Sequence, residues 1–159
     1  MPADYRALAA AYARKYGIPV PLFLAQIKQE SGFNPNAVSP AGAVGIAQIV
    51  SKWHPGVNPR DPNASLDYAA RHMATLYKKY GNWTDPLSVY NSGRPFSRGQ
   101  GIPETANYVR SILGAAGGAG AAAAPAYPAA PSPGAGGSFA SPPPASGLSR
   151  AALSQLARI

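Results

Sequence analysis

The chain has 159 residues, enough for one domain with a real core but not for two full-sized ones. It contains no cysteine, which excludes a disulfide framework, a thiolate metal site and a cysteine nucleophile, and its two histidines leave little for a metal centre. With 14 Lys and Arg against 6 Asp and Glu, the formal net charge is +8, which favours a polyanionic partner.

Charged residues interrupt the apolar stretches at the start of the chain. Asp4, Arg6, Arg14 and Lys15 divide every apolar stretch of residues 1–17, so this segment lacks the unbroken apolar core of a signal peptide. No run of about 18 apolar residues that could cross a membrane occurs elsewhere. These patterns predict a chain that is made in a cytoplasm, does not insert into a membrane and reaches its place of action by another route.

Helical spacing of apolar residues predicts a mainly α-helical domain over residues 1–113. Helix-start signals such as Asp61-Pro62 and stop signals such as Gly81 bound the segments, and turn formers dominate residues 32–45 and 94–101. The predicted helices cover residues 3–16, 21–31, 46–53, 61–80, 85–92 and 103–113.

The segment after the last of these helices has a different composition. Residues 114–147 consist mostly of Ala, Pro, Gly and Ser, carry no charge and have almost no large apolar side chain, so they are expected to form a linker or tether. Residues 148–159 return to helical spacing, with Leu148, Ala152, Leu156 and Ile159 on one face. Because twelve residues are too few for a stable lone helix, this segment is expected to dock on a protein partner.

Four of the six carboxylates have a structural interpretation. Asp61 and Asp85 precede prolines at helix starts and are expected to act as caps, while Asp4 and Asp67 lie in first turns, where the helix dipole favours an anion. The other two carboxylates are Glu30 and Glu104. Glu30 is the first candidate for a catalytic group, and Glu104, in the first turn of the last helix, is the remaining candidate for a second one.

Glu30 lies near a helix C-terminus and on the same face as Phe23 and Ile27. The helix dipole and the apolar surroundings both raise the pKa of a carboxyl group there, as a general acid for glycosidic bond cleavage requires. Spacing alone leaves an equal alternative, a glutamate that extends to solvent at the end of its helix.

Four motifs in a fixed order indicate a family. They read ESGFNP at residues 30–35, followed by AVS and GAVGIAQ up to residue 48, then DPNAS at 61–65, VYNSG at 89–93, and ET and YV within 104–109. This series resembles the catalytic domain of soluble-type (SLT) lytic transglycosylases, which are related in fold to goose-type lysozymes. The resemblance covers about residues 3–113 and leaves the tail from Gly114 unmatched.

The resemblance implies a lysozyme-like domain that cleaves the β-1,4 bond between N-acetylmuramic acid and N-acetylglucosamine in the glycan strands of peptidoglycan. It implies no cofactor and no metal, and it gives Glu30 the position of a single catalytic acid and base that forms 1,6-anhydromuramyl products. By the same resemblance Glu104 supports the site wall, and the expected substrate-binding residues are Ser31, Gln48, Tyr90, Asn91 and Tyr108.

Three departures from the family pattern concern the groove. Ala47 stands where the family usually has methionine, and Val89 and Ser92 replace the alanines that flank Tyr-Asn. His54 has no counterpart in the family pattern and is expected to be structural. Two alternatives remain open: a hydrolase of goose-lysozyme type, and a non-catalytic component that binds glycan or holds an assembly together.

The basic residues are scattered and form no run, which favours attraction to an anionic cell wall over nucleic-acid binding. The resemblance and this charge imply that the chain acts in the periplasm or cell wall. The predicted tether and the absence of a leader pattern together suggest delivery there by a phage virion or another injection apparatus, with a secretion-system enzyme whose leader has been removed as the second candidate.

Overall fold

The computed structural model describes residues 3–98 and 103–117. This part is mainly α-helical, as predicted, and contains no strand beyond isolated β-bridges. The helix predicted over residues 148–159, and all of the predicted linker except 114–117, lie outside the described residues. The elements are α1 (Tyr5–Tyr16), α2 (Val20–Ser31), α3 (Pro62–Tyr80), α4 (Thr84–Ser92), a 3-10 helix (Phe96–Arg98) and α5 (Pro103–Ala115).

Local signals set the helix ends. The side chain of Asp4 accepts a hydrogen bond from the Ala7 amide at the start of α1, and that of Asp61 accepts one from Asn63 at the start of α3. Gly17 and Gly81 close these two helices in the left-handed conformation, with φ of 70° and 71°. The predicted ends of α1 and α3 are therefore confirmed to within two residues.

The five helices contact one another in a closed ring. α1 packs against α2 and α3, α2 packs against α5, and α4 joins α3 to α5. Their inward faces bury one apolar core, whose largest fully buried aliphatic and aromatic side chains are Phe23, Leu22, Ile27, Ile46, Leu66, Met73, Leu87 and Ile112. None of the helices in the described residues is both long and apolar enough to cross a membrane.

The helix predicted over residues 46–53 is wrong. Val44 and Ile49 exchange two backbone hydrogen bonds of 3.0 Å each, and Val44 forms a second antiparallel bridge with Val38. Gln48 has a φ of 51°, which is incompatible with continuing a right-handed helix. The apolar spacing reflects a folded-back loop that buries Ile46 in the core rather than a helical face.

The capping role predicted for Asp85 is also wrong. α4 begins one residue earlier, at Thr84, with Trp83 as its N-cap, and Asp85 is buried in the first turn. Its carboxylate accepts hydrogen bonds from the Ser97 amide (2.9 Å) and from the Asn82 side-chain amide (3.1 Å). Asp85 therefore ties the segment after α4 back to the start of that helix.

Candidate active site

Glu30 lies in the last turn of α2, and its side chain is only 5% exposed. The face of α2 that carries the fully buried Phe23 and Ile27 also directs Glu30 inward, as the spacing predicted. Burial raises the pKa of its carboxyl group to about 8, against a smaller opposing effect of a hydrogen bond from Tyr108. The group is therefore mostly protonated at neutral pH.

Tyr108 reaches Glu30 from the facing side of α5. Its hydroxyl lies 2.5 Å from Glu30 Oε1 and donates a hydrogen bond to it. Tyr108 is itself 5% exposed, and burial, followed by the proximity of Glu30, raises the pKa of its phenol well above the usual value. The tyrosine therefore stays a hydrogen-bond donor. It is not among the described residues that line the cavity onto which Glu30 opens, and its predicted role in binding substrate stays a prediction.

Glu30 opens onto a cavity of about 210 Å³. The loop between α2 and α3 forms one side of it, and α3 and α4 form the others. Among the described residues that line this cavity, Glu30 is the only one with a carboxylate. Besides Glu30, its polar and aromatic lining residues are Gln48, Trp53, His54, Tyr68, His72, Tyr90 and Asn91.

Three of the predicted substrate-binding residues line this cavity. The side-chain amide of Gln48 donates hydrogen bonds to the Gly45 and Ala37 carbonyls (2.9 and 3.3 Å), which fixes the loop between α2 and α3 around Gln48. Tyr90 donates its hydroxyl to the Ala47 carbonyl at 2.7 Å, so Ala47 contributes its backbone while its side chain is buried.

Asn91, the third of these residues, accepts a hydrogen bond of 2.9 Å from the hydroxyl of Thr105. This contact holds the side chain of Asn91, at the end of α4, against α5. Asn91, the third residue of the VYNSG motif, is thereby kept at the cavity wall.

The other predicted site residues lie off the cavity. Ser31 donates its hydroxyl to the Ile46 carbonyl at 2.7 Å and accepts a hydrogen bond from the Asn34 amide at 3.2 Å, joining the end of α2 to the loop. Glu104 is exposed in the first turn of α5. Their predicted roles, in binding substrate and in supporting the site wall, stay predictions.

Two histidines and a tyrosine that line the cavity are not among the site residues predicted from the sequence. His54, which was expected to be structural, lines it together with Tyr68 and His72 of α3. Tyr68 and His72 are four residues apart and so share one helix face, a signal that was available in the sequence. That His54 joins them depends on the fold of the loop.

Comparison with known proteins identifies the family. The profile described as the Transglycosylase SLT domain matches residues 7–101. The chain belongs to this family. The matched part of the SLT domain includes Glu30, Gln48, Tyr90 and Asn91, whereas Glu104 and Tyr108 follow it.

Curated relatives of this SLT domain are proteins named membrane-bound lytic murein transglycosylase C. The chain is 34% identical to that of Cronobacter sakazakii over 113 residues, which cover 56% of this chain and 31% of the relative. It is 32% identical to that of Sodalis glossinidius over 125 residues, 60% and 34% of the two chains. The aligned region thus spans about a third of the length of these relatives.

Proposed function

We propose that this chain is a peptidoglycan lytic transglycosylase in which Glu30 serves as both the catalytic acid and the catalytic base. The observation that carries the proposal is a single buried carboxyl group, with its pKa raised to about 8, in the wall of the cavity. Membership of the SLT family and similarity to proteins named as murein transglycosylases support it.

The reaction needs two proton transfers. Protonated Glu30 first donates its proton to the glycosidic oxygen, and the bond between that oxygen and C1 of the muramyl sugar breaks. The resulting carboxylate then accepts the proton of the muramyl C6 hydroxyl while the C6 oxygen bonds to C1. The products are a free 4-hydroxyl on one sugar and a 1,6-anhydro ring on the other, and Glu30 is again protonated.

The lining of the cavity favours this reaction over hydrolysis by a carboxylate pair. Glycosidases with two acids hold them about 5–9.5 Å apart across the bond. Among the described residues that line the cavity, no second carboxylate accompanies Glu30. Glu104, the one other candidate from the sequence, is exposed at the start of α5, so we assign it a supporting role.

In this proposal the remaining site residues either contact the glycan or hold the catalytic group and the loop in position. Gln48, Tyr90 and Asn91 offer amide groups and a ring edge to the acetamido and hydroxyl groups of the glycan. Ser31 and Tyr108 hold the loop and the carboxyl group in position.

Mass spectrometry of peptidoglycan digested by the purified chain tests the proposal. We expect 1,6-anhydromuramyl ends, and none with the Glu30→Gln variant. Reducing ends would instead identify a hydrolase of goose-lysozyme type. No cleavage by the wild-type chain would leave a structural or glycan-binding component.

We also propose that the chain is delivered to the cell wall as part of a virion or injection apparatus, through docking of residues 148–159 on a protein partner. The apolar spacing of Leu148, Ala152, Leu156 and Ile159 after a low-complexity segment supports a docking role. Purified particles should contain the chain, and deletion of residues 148–159 should remove it from them. Its detection only as a free periplasmic protein would contradict this proposal.

A further inference from the structure

One part of the cavity lining is a cluster of three rings, His54, Tyr68 and His72. The rings of Tyr68 and His72 are stacked, with centroids 5.9 Å apart and planes within 11°. His54 meets both edge-on, at 5.3 Å from Tyr68 and 5.8 Å from His72. All three line the cavity, so they are not simply packed away in the core.

Tyr90 connects this cluster to the acid. Its ring centroid lies 6.0 Å from that of His72. Tyr90, Glu30 and the three rings all line the same cavity. Tyr90 therefore borders the cluster within the cavity onto which the acid opens.

The cluster offers hydrogen-bonding groups without charge. His54 Nδ1 and the Tyr68 hydroxyl are paired at 2.6 Å, which orients the His54 ring. Within residues 3–98 and 103–117, the ring nitrogens of His72 have no hydrogen-bond partner. Burial lowers the pKa of both histidines, that of His72 to about 4, so both rings are neutral at neutral pH.

A neutral imidazole can donate one hydrogen bond and accept another, which suits hydroxyl and acetamido groups better than carboxylates or phosphates. Next to aromatic faces, such groups are typical of sites for sugar rings. We propose that His54, Tyr68 and His72 form a binding subsite for an uncharged N-acetylhexosamine ring of the glycan strand, beside the bond on which Glu30 acts. This inference rests on the proposed function and adds residues that the motifs do not include.

Binding to an inactive chain tests the subsite separately from catalysis. The Glu30→Gln variant is titrated with chitotetraose, an oligomer of N-acetylglucosamine, and compared with the same variant carrying His72→Ala or His72→Gln. We expect the Kd for chitotetraose to rise roughly tenfold with His72→Ala, because about one hydrogen bond and its packing contact are lost. With His72→Gln, which restores a hydrogen-bonding group, the Kd should recover in part. Thr75→Ala is the matched control, because Thr75 is exposed on the same helix and off the cavity.

The two histidines provide a second measurement that needs no substitution in the cluster. Their ring proton resonances in the Glu30→Gln variant should shift as chitotetraose is added. Unshifted resonances, an unchanged Kd for a folded His72→Ala variant, or no binding of chitotetraose by the parent would each overturn the subsite. Anhydromuramyl products from the wild-type chain would still support the proposed function in those cases.

Discussion

The hydroxyl of Tyr108 lies 2.5 Å from Oε1 of Glu30, although 78 residues separate the two along the chain. This contact ties the C-terminal turn of α2 to α5. The hydrogen bond also opposes the effect of burial on the pKa of Glu30, because a donor to the carboxylate favours its ionised form. The balance of the two effects sets the pKa at which Glu30 exchanges its proton.

Replacing Glu30 by Gln should abolish transglycosylase activity while leaving the fold intact. Glutamine keeps the shape of the side chain and can accept the hydrogen bond from Tyr108, but it has no proton to donate to a leaving oxygen. We expect product release to fall by at least about 10²-fold. Asp67→Asn is the control, since it makes the same carboxyl-to-amide change at the Lys15–Asp67 ion pair outside the cavity. Near wild-type release by Glu30→Gln would remove the assignment.

The same substitution should change how stability depends on pH. Glu30 has a pKa of about 8 in the folded protein and 4.5 as an ordinary glutamate, so between these values the folded state keeps a proton that the unfolded state has lost. Wild-type stability should therefore fall as pH rises through this range, with a slope approaching about 1.4 kcal/mol per pH unit.

Urea unfolding of wild type and Glu30→Gln across this range measures the effect. The difference between the two free energies of unfolding isolates Glu30, because both proteins keep the same histidines. The advantage of Glu30→Gln should grow from about pH 5 to about pH 8 and then level off. Parallel curves would show that the carboxyl group is not buried in solution.

Replacing Tyr108 by Phe should shift the pH profile of the reaction. Loss of the hydrogen bond removes the effect that lowers the pKa of Glu30, so that pKa should rise. The alkaline limb of kcat should move to higher pH, and kcat at its optimum should fall by roughly tenfold as the carboxyl group loses its fixed position. Tyr77→Phe, on an exposed tyrosine stacked on Trp83, should change neither. An unmoved alkaline limb would contradict the role of Tyr108.

Replacing Ser31 by Ala should loosen the loop over the core. The Ser31 hydroxyl donates to the carbonyl of the fully buried Ile46, and its loss leaves that carbonyl without this partner. We expect the free energy of unfolding to fall by about 1–2 kcal/mol, as measured by urea denaturation. Ser51→Ala, on an exposed residue of the same loop, should cost much less. Equal losses for the two variants would argue against the contact.

Two glycines of the loop provide a matched pair. Gly42 and Gly45 have φ of 86° and 81°, so alanine is strained at both, at about 1–2 kcal/mol each. A Cβ at Gly45 would overlap the carbonyl of Pro59, whereas one at Gly42 meets nothing within 4 Å.

Gly45→Ala should therefore destabilise the domain by at least about 3 kcal/mol, and Gly42→Ala by only the conformational cost. Since the Gly45 carbonyl accepts a hydrogen bond from Gln48, Gly45→Ala should also reduce activity. Equal Tm values for the two variants would contradict the close approach of Gly45 to Pro59.

Most of the helices could be predicted because their signals are local. The Asp61 cap and the Gly81 stop lie within a few residues of the backbone groups that they satisfy, and both ends of α3 follow from them. The segment 46–53 could not be predicted in this way. Its backbone pairs across the Val44–Ile49 bridge, and apolar spacing does not distinguish such a folded-back loop from a helix.

The amino-acid sequence alone was sufficient for the helical fold class, the family and the position of Glu30 on an apolar face, because periodicity and motif order are properties of the chain itself. Only the packed structure brings Tyr108 to Glu30 and joins His54 to Tyr68 and His72, since these contacts link segments far apart in sequence. The raised pKa of Glu30 has the same origin: its sign follows from the helix face, but its size depends on how completely the other helices and the loop exclude water.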